Sequence, residues 1–290
     1  MFMQVKILKN KVIVSGIKDF DLKKCLECGQ IFRYEILPNK FIIYETDGKF
    51  ICKQTNDEIE IETNNPEKAI NYFDLQTDYD KLNKRIARQG EVFKQAVKFG
   101  KGIRIFRQDP LEMIISFVIS ANNNIPRIKK SLFKLCEKFG EKKTDYFAFP
   151  TLEKLLTISQ KDWENLGVGY RAKSLFKLCR ELKSINFAQM KSLPTNTLRN
   201  RLVSLSGIGP KVADCVLLFA FSKNDSFPTD TWIKKFYQEN MFGEEENAKK
   251  ISEILSSRFG QDSGLVQQYL FYYKREKGDK KWKIFACLLI

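Results

Sequence analysis

Three residues near the middle of the chain have the types and spacing to do chemistry. Lys211 follows Gly207-Ile208-Gly209-Pro210 directly, Cys215 comes four residues later, and Asp230 stands nineteen positions after the lysine, behind Pro228. Gly207 and Gly209 permit a tight turn with positive φ. Pro210 suits the first position of a helix, where a missing N–H removes no hydrogen bond. Lys211 therefore falls in a first helical turn, where the macrodipole opposes a cation by a few tenths to about 1 kcal/mol. That field favours the neutral amine, the form a nucleophilic lysine requires. Lys211 and Cys215 share one helix face. The free N–H groups at such a helix start also suit a phosphate, with no preference for a particular base.

These residues need a scaffold. Val212, Ala213, Val216, Leu217, Phe219 and Ala220 give the lysine's helix a broad apolar face, so it is expected to be buried. Asp230 precedes the apolar-periodic Trp232, Ile233 and Phe236, where it is placed to cap a helix. Asp109-Pro110 opens another helix through Met113, Ile114, Phe117 and Val118. Further helices are expected at about 125 to 139, 151 to 157, 159 to 166, 171 to 184, 195 to 205, 246 to 258 and 262 to 275. Before Ala69 the pattern is different. Phe41 to Thr46, the turn Asp47-Gly48, then Lys49 to Lys53 is a hairpin signal, with β-prone stretches at 4–7, 12–15, 31–36 and 58–62. The expected class is α+β: an antiparallel sheet domain over about 1–100, packed on a mainly helical domain over 101–290. The cleft between them is the natural ligand site.

Composition sets bounds on function. The 290 residues suffice for a large core, and 43% apolar content with 13% aromatic residues describes a globular chain. Fifty basic against 35 acidic residues leave a net charge of +15, which points to an anionic partner. Most of the excess lies between Arg127 and Lys211, with 18 Lys/Arg against 7 Asp/Glu. No apolar run approaches a membrane span and the start is not a secretory signal, so a cytoplasmic protein is expected. Seven cysteines, an odd number, fit a reducing compartment. Cys25 and Cys28 form a lone C-x-x-C, and with no histidine in the chain no metal site is expected. The same absence removes imidazole acid–base chemistry.

The segment LSGIGPKVADC followed by FPTD resembles the helix-hairpin-helix, Gly/Pro-rich loop and aspartate motif of base-excision DNA glycosylases. Lysine after the hairpin with cysteine four residues on is similar to the 8-oxoguanine DNA glycosylases. Related glycosylases carry a four-cysteine iron–sulfur loop after the aspartate; only Cys287 lies there, so that cluster is not expected. The resemblance implies Lys211 as nucleophile and Asp230 as stabiliser of the cationic sugar, with no metal or organic cofactor. Taken alone, Lys211 is a phosphate-binding lysine and Asp230 an N-cap.

Four other stretches match the pattern. In Cys28-Gly29-Gln30, the resemblance gives Gly29 a backbone carbonyl aimed at the damaged base, whereas alone it is a turn glycine. Oxidation at C8 turns N7 into an N–H donor, and an acceptor there separates lesion from guanine by on the order of 1–3 kcal/mol. In Ser120 to Arg127, the resemblance implies that Asn122 fills the gap left by an extruded base and Arg127 contacts the orphaned cytosine; alone, three asparagines end a helix. In Gly169-Tyr170-Arg171, the resemblance has the tyrosine wedge beside that cytosine and the arginine read its edge, whereas alone they are a surface aromatic and a phosphate-binding arginine. Gln267 and Phe271 share a helix face; the resemblance has the glutamine read the flipped base while the phenylalanine stacks on it opposite Cys215. Gly207 and Gly209 belong to the DNA-binding hairpin. Trp232 stands where animal enzymes usually have a phosphate-contacting histidine, which alters the grip on that phosphate.

The resulting expectation is a monomeric bifunctional glycosylase/lyase acting on duplex DNA with 8-oxoguanine, opposite cytosine. A glycosylase for another oxidised or alkylated base, and a helix-hairpin-helix module without chemistry, are the alternatives.

Overall fold

The computed structural model describes residues 3–17, 19–241 and 246–277. Cys287 lies outside them. Six antiparallel strands, β1 (Gln4–Leu8), β2 (Lys11–Ser15), β3 (Tyr34–Leu37), β4 (Lys40–Tyr44), β5 (Lys49–Gln54) and β6 (Glu58–Glu62), form one sheet in the order β1-β2-β6-β5-β4-β3. The Asp47-Gly48 turn sets the β4–β5 register, with Tyr44 opposite Lys49. Alternation sends Val12, Val14, Phe50, Cys52, Ile59 and Ile61 to one face, where they are buried. Tyr72, Phe73 and Phe106 cover that face in edge and tilted ring contacts.

The first helices are α1 (Leu22–Glu27), α2 (Pro66–Tyr72), α3 (Tyr79–Ala87), α4 (Glu91–Gly100), α5 (Pro110–Ser120), α6 (Ile125–Phe139), α7 (Leu152–Leu156) and α8 (Gln160–Asn165). They continue as α9 (Ala172–Leu182), α10 (Phe187–Ser192), α11 (Thr195–Val203), α12 (Pro210–Phe219), α13 (Thr231–Asn240), α14 (Ala248–Phe259) and α15 (Ser263–Lys277). Helix α1 was not foreseen: Asp21 caps it, and it buries Leu22, Cys25 and Leu26 beneath the sheet. Six residues are too few for a periodic pattern to stand out. The short helix α10 escaped for the same reason.

Helices α5, α12 and α15 form the centre of the helical core; the first two are apolar nearly all round, while α15 is buried from Ser263 to Leu270 and includes the polar Gln267 and Gln268. Phe117 of α5 stacks on Phe219 of α12 at 5.5 Å, and a Cβ on Gly264 of α15 would stand 2.2 Å from Leu218 of α12. Helices α3 and α4 turn their buried faces into this same core.

Two buried polar groups join sheet and helices. Gln30 donates to the Cys25 and Arg104 carbonyls at 3.0 and 2.8 Å and accepts from the Phe106 N–H at 2.8 Å. Arg33 pairs with Glu112 of α5 at 2.9 Å and donates to the Phe147 carbonyl at 3.0 Å. Burial pushes the Glu112 carboxyl up to about 7 even with Arg33 facing it.

Arg33→Met should therefore lower stability by up to roughly 3–5 kcal/mol at neutral pH, because Glu112 loses its partner and must either take up a proton or stay as an uncompensated buried charge. Without Arg33 the folded state holds a proton on Glu112 that the unfolded chain has released. Stability of the variant should accordingly fall as pH rises from about 6 to about 8, more steeply than in the wild type. Urea denaturation at both pH values checks this, and parallel pH curves for the two proteins would contradict it.

Candidate active site

The hairpin between α11 and α12 is built on two glycines with different duties. Gly207 has φ +84°, and a Cβ there would stand 2.9 Å from Ser174 Cβ of α9 and 3.3 Å from Val118 of α5. Gly209 does not share the positive φ expected of it. It caps α12 with φ −87°, and a Cβ on it would meet nothing within 4 Å. Among the described residues the space in front of this helix start is open and no side chain caps it. Ser206 fixes the turn from behind, its N–H and hydroxyl donating to Glu181 of α9 at 2.7 and 2.6 Å.

Lys211, half-buried in the first turn of α12, is the point where an apolar helix meets the surface. Its ammonium lies 5.6 Å from the Phe117 ring centroid. One turn on, Cys215 is buried; burial pushes its thiol up to about 11 while Lys211 beside it pulls the other way. Asp230 caps α13, its Oδ1 accepting from the Trp232 and Ile233 N–H groups at 3.0 Å each. Burial holds the Asp230 carboxyl above the ordinary aspartate range, opposed by those N–H groups and by Lys211. The amine, the thiol and the carboxylate thus act on one another electrostatically.

A second group forms between sheet and helices. Gly29 has φ +83°, and a Cβ there would stand 3.2 Å from Phe271 Cε1 of α15. Two residues far apart in the chain therefore touch. Gln267, 4% exposed, lies one turn before Phe271, and its Oε1 accepts from Gln268 at 2.8 Å. This group and the Lys211 group sit on α15 and α12, which meet at Gly264 and Leu218.

A third group joins the loop after α5 to the start of α9. Asn122 is exposed with φ +47°, and Asn124 caps α6 by accepting from the Arg127 N–H at 3.0 Å. Arg127 is exposed and Tyr170 is 72% exposed. Arg171 behaves differently. Expected as an outward reader, it is 7% exposed and serves the loop instead. Its Nε donates to the Ala121 carbonyl at 2.8 Å, Nη2 to those of Ala121 and Asn122, and Nη1 to that of Val168 at 3.0 Å. Trp232 is half-buried in the first turn of α13, with the Lys235 ammonium 5.5 Å from its ring centroid.

Residues 12–114 match the family described as 8-oxoguanine DNA glycosylase, N-terminal domain. Residues 115–261 match that described as HhH-GPD superfamily base excision DNA repair protein. The chain belongs to the HhH-GPD superfamily. Within it, the fold is similar to a Clostridium acetobutylicum 8-oxoguanine glycosylase/lyase in complex with duplex DNA containing cytosine opposite 8-oxoG. That likeness has a TM-score of 0.89 at 37% identity over 96% of this chain and 98% of that one. MBOgg1 in complex with a low affinity DNA ligand gives 0.90 at 36% identity, over 96% and 100% of the two chains. A probable N-glycosylase/DNA lyase of Methanothermobacter thermautotrophicus is 30% identical over 61% of this chain and 65% of its own length. The N-glycosylase/DNA lyase OGG1 of Arabidopsis thaliana is 28% identical over 70% and 58%. The match thus spans under two thirds of these two curated relatives. A 3-methyladenine DNA-glycosylase of Archaeoglobus fulgidus, at 20% identity and a TM-score of 0.75, shares the fold alone.

The HhH-GPD hairpin also rests on residues that no motif pointed to. Arg199 of α11 donates to Asp214 of α12 at 2.7 Å. Ser252 of α14 lies 3.3 Å from the other Asp214 oxygen and 2.9 Å from the Phe227 carbonyl. This buried chain ties both hairpin helices to the segment that delivers Asp230. A cavity of about 480 Å³ beside it is lined by Pro210, Lys211, Asp214, Thr229 and Ser252 among others. The visible signal was one acid inside the apolar run VADCVLLF.

The two hairpin glycines should respond differently to a methyl group. Gly207→Ala meets both a left-handed backbone and a close neighbour and should cost roughly 1–3 kcal/mol. Gly209→Ala should cost about 0.5 kcal/mol or less. Urea denaturation of the pair decides, and equal losses would contradict the geometry described.

Proposed function

We propose that the chain is a bifunctional DNA glycosylase and abasic-site lyase that excises 8-oxoguanine from duplex DNA, opposite cytosine. The observation that carries this reading is the meeting of Lys211, Cys215 and Asp230 beside the open start of α12. The contact of Gly29 with Phe271, and the likeness to a glycosylase/lyase bound to such DNA, support it further.

The net charge of +15 draws the duplex in, and the free N–H groups at Gly209 receive a backbone phosphate. The lesion nucleotide is flipped between sheet and helices. Gly29 offers its carbonyl to N7–H, Phe271 and Cys215 take the two faces of the base, and Gln267 reads its Watson–Crick edge. Asn122, Arg127 and Tyr170, all on one rim, hold the vacated site and the orphaned cytosine, while Trp232 meets the backbone. Arg171 keeps its brace on the loop carbonyls and has its second Nη1 N–H left for the cytosine.

As the C1′–N9 bond breaks, the base departs with the bonding electrons and takes up a proton. Asp230, held ionised by two backbone N–H groups, stabilises the positive sugar. The neutral Lys211 amine attacks C1′ and gives up one proton; the nitrogen lone pair then opens the ring C1′–O4′ bond, O4′ takes up a proton to become a hydroxyl, and a protonated imine remains. The protonated imine acidifies C2′–H, and loss of that proton forms the C2′–C3′ double bond as the C3′–O bond breaks and the 3′ phosphate departs. Cys215 is the wrong nucleophile here, because its thiol stays protonated at neutral pH.

Borohydride should trap a covalent adduct with an 8-oxoguanine:cytosine duplex, and Lys211→Gln should abolish it; an undiminished adduct in the variant would end the assignment. Faster release of another lesion from a panel of duplexes would replace the substrate. Asp230 works only when ionised and its carboxyl is raised by burial. The acid limb of the single-turnover rate should thus lie above the ordinary aspartate range of about 4. A rate that stays flat down to that range would remove Asp230 from this role.

A further inference from the structure

Arg275 of α15 holds one buried donor that no group among the described residues receives. Its Nη2 donates to the Glu27 carbonyl at 2.6 Å and its Nε to Glu276 at 2.9 Å, yet Nη1 is buried without an acceptor among those residues. Leaving such a donor unpaired is costly, and more so when it is charged. Its position is specific. Nη1 lies 3.7 Å from the point where a Cβ on Gly29 would stand, and the guanidinium is 5.2 Å from the Phe271 ring centroid. The side chain is 18% exposed. The orphan N–H therefore sits where Gly29 and Phe271 meet, one helical turn beyond the phenylalanine.

We propose that Arg275 is a specificity-determining residue whose Nη1 donates to the oxygen on C8 of the flipped base. This rests on reading the Gly29–Phe271 contact as the 8-oxoguanine slot. The oxidised edge presents a donor, N7–H, next to an acceptor, the C8 oxygen. Gly29 and Arg275 offer the complementary pair, an acceptor next to a donor. Guanine presents an acceptor at N7 and a C–H at C8, so both protein groups go unpaired at once. No bond is made or broken; the contribution is a charge-assisted hydrogen bond, among the stronger kinds. The planar fork of arginine lets one arm hold the Glu27 carbonyl, and with it the loop of Gly29, while the other arm faces the base.

The test compares two lesions in the full chain. 8-Thioguanine keeps N7–H but offers sulfur, a weak acceptor, at C8. Arg275→Met keeps most of the stem against Phe271 and removes every donor. Its single-turnover release of 8-oxoguanine should fall roughly tenfold to a hundredfold, while release of 8-thioguanine changes by less than about threefold. Arg275→Lys, which retains a cation, should recover part of the 8-oxoguanine rate. Borohydride trapping at a preformed abasic site, where no base is read, should persist in Arg275→Met. Equal loss on both lesions, loss on neither, or loss of abasic-site trapping would overturn the proposal. Wild-type protein that releases neither base faster than guanine, yet still traps at an abasic site, would remove the substrate reading as well.

Discussion

Helix α12 is buried along its length except at its first turn, and the site depends on that boundary. A cation at the start of a dry helix is opposed by the helix field, although the Phe117 ring face 5.6 Å from the Lys211 ammonium attracts it. A carboxylate as withdrawn from water as Asp230 is disfavoured too. Placed together they relieve one another, and the two N–H groups of α13 complete the carboxylate's requirements. Neither residue is comfortable without the other. The same dryness that makes the pair interdependent strengthens its field on a sugar that enters between them.

In the proposed reading, the sheet domain contributes selectivity through one loop. Gly29 lies in the turn between α1 and β3, and that turn is gripped on two sides: Gln30 reaches the 104–106 segment, and Arg275 reaches the Glu27 carbonyl. A backbone carbonyl carries no side-chain flexibility of its own, so its aim is as firm as those anchors. The Arg33–Glu112 pair then locks the loop's far end to α5, the helix that also bears Phe117. The proposed base slot and the proposed catalytic group share a frame although their residues lie far apart in the chain.

Much of this was legible in the sequence because it is carried by period and punctuation. The alternation of Val12 and Val14, the Asp47-Gly48 turn, and the glycine–proline start of α12 each translate directly into local geometry. Lys211 and Asp230 stood out as a pair through the resemblance to the glycosylase motif; their residue types alone allowed a phosphate-binding lysine and an N-cap. Other features have no such imprint. Gly209 looks like Gly207, but one is spared a Cβ by its own φ and the other leaves open space in front of the helix. Asp214 and Arg275 matter through Arg199, Ser252 and Glu27, partners separated from them by 15 residues or more. Residue type alone does not state direction.

Arg171 shows why direction matters most at the rim. Asn122 holds φ +47°, a conformation that asparagine tolerates better than most residues but that still needs support. The Arg171 guanidinium supplies it, bonding the carbonyls of Ala121 and Asn122 from below while its own charge rests 4.4 Å from the Tyr170 ring centroid. These carbonyls are main-chain groups and leave no mark in the sequence. Drawing the arginine away would leave them unpaired, at on the order of 1–3 kcal/mol for each that stays buried. A base edge that competes for Arg171 must therefore either leave the brace in place or open the loop enough for water to replace it. The shape of the Asn122 turn and the availability of the arginine are one equilibrium.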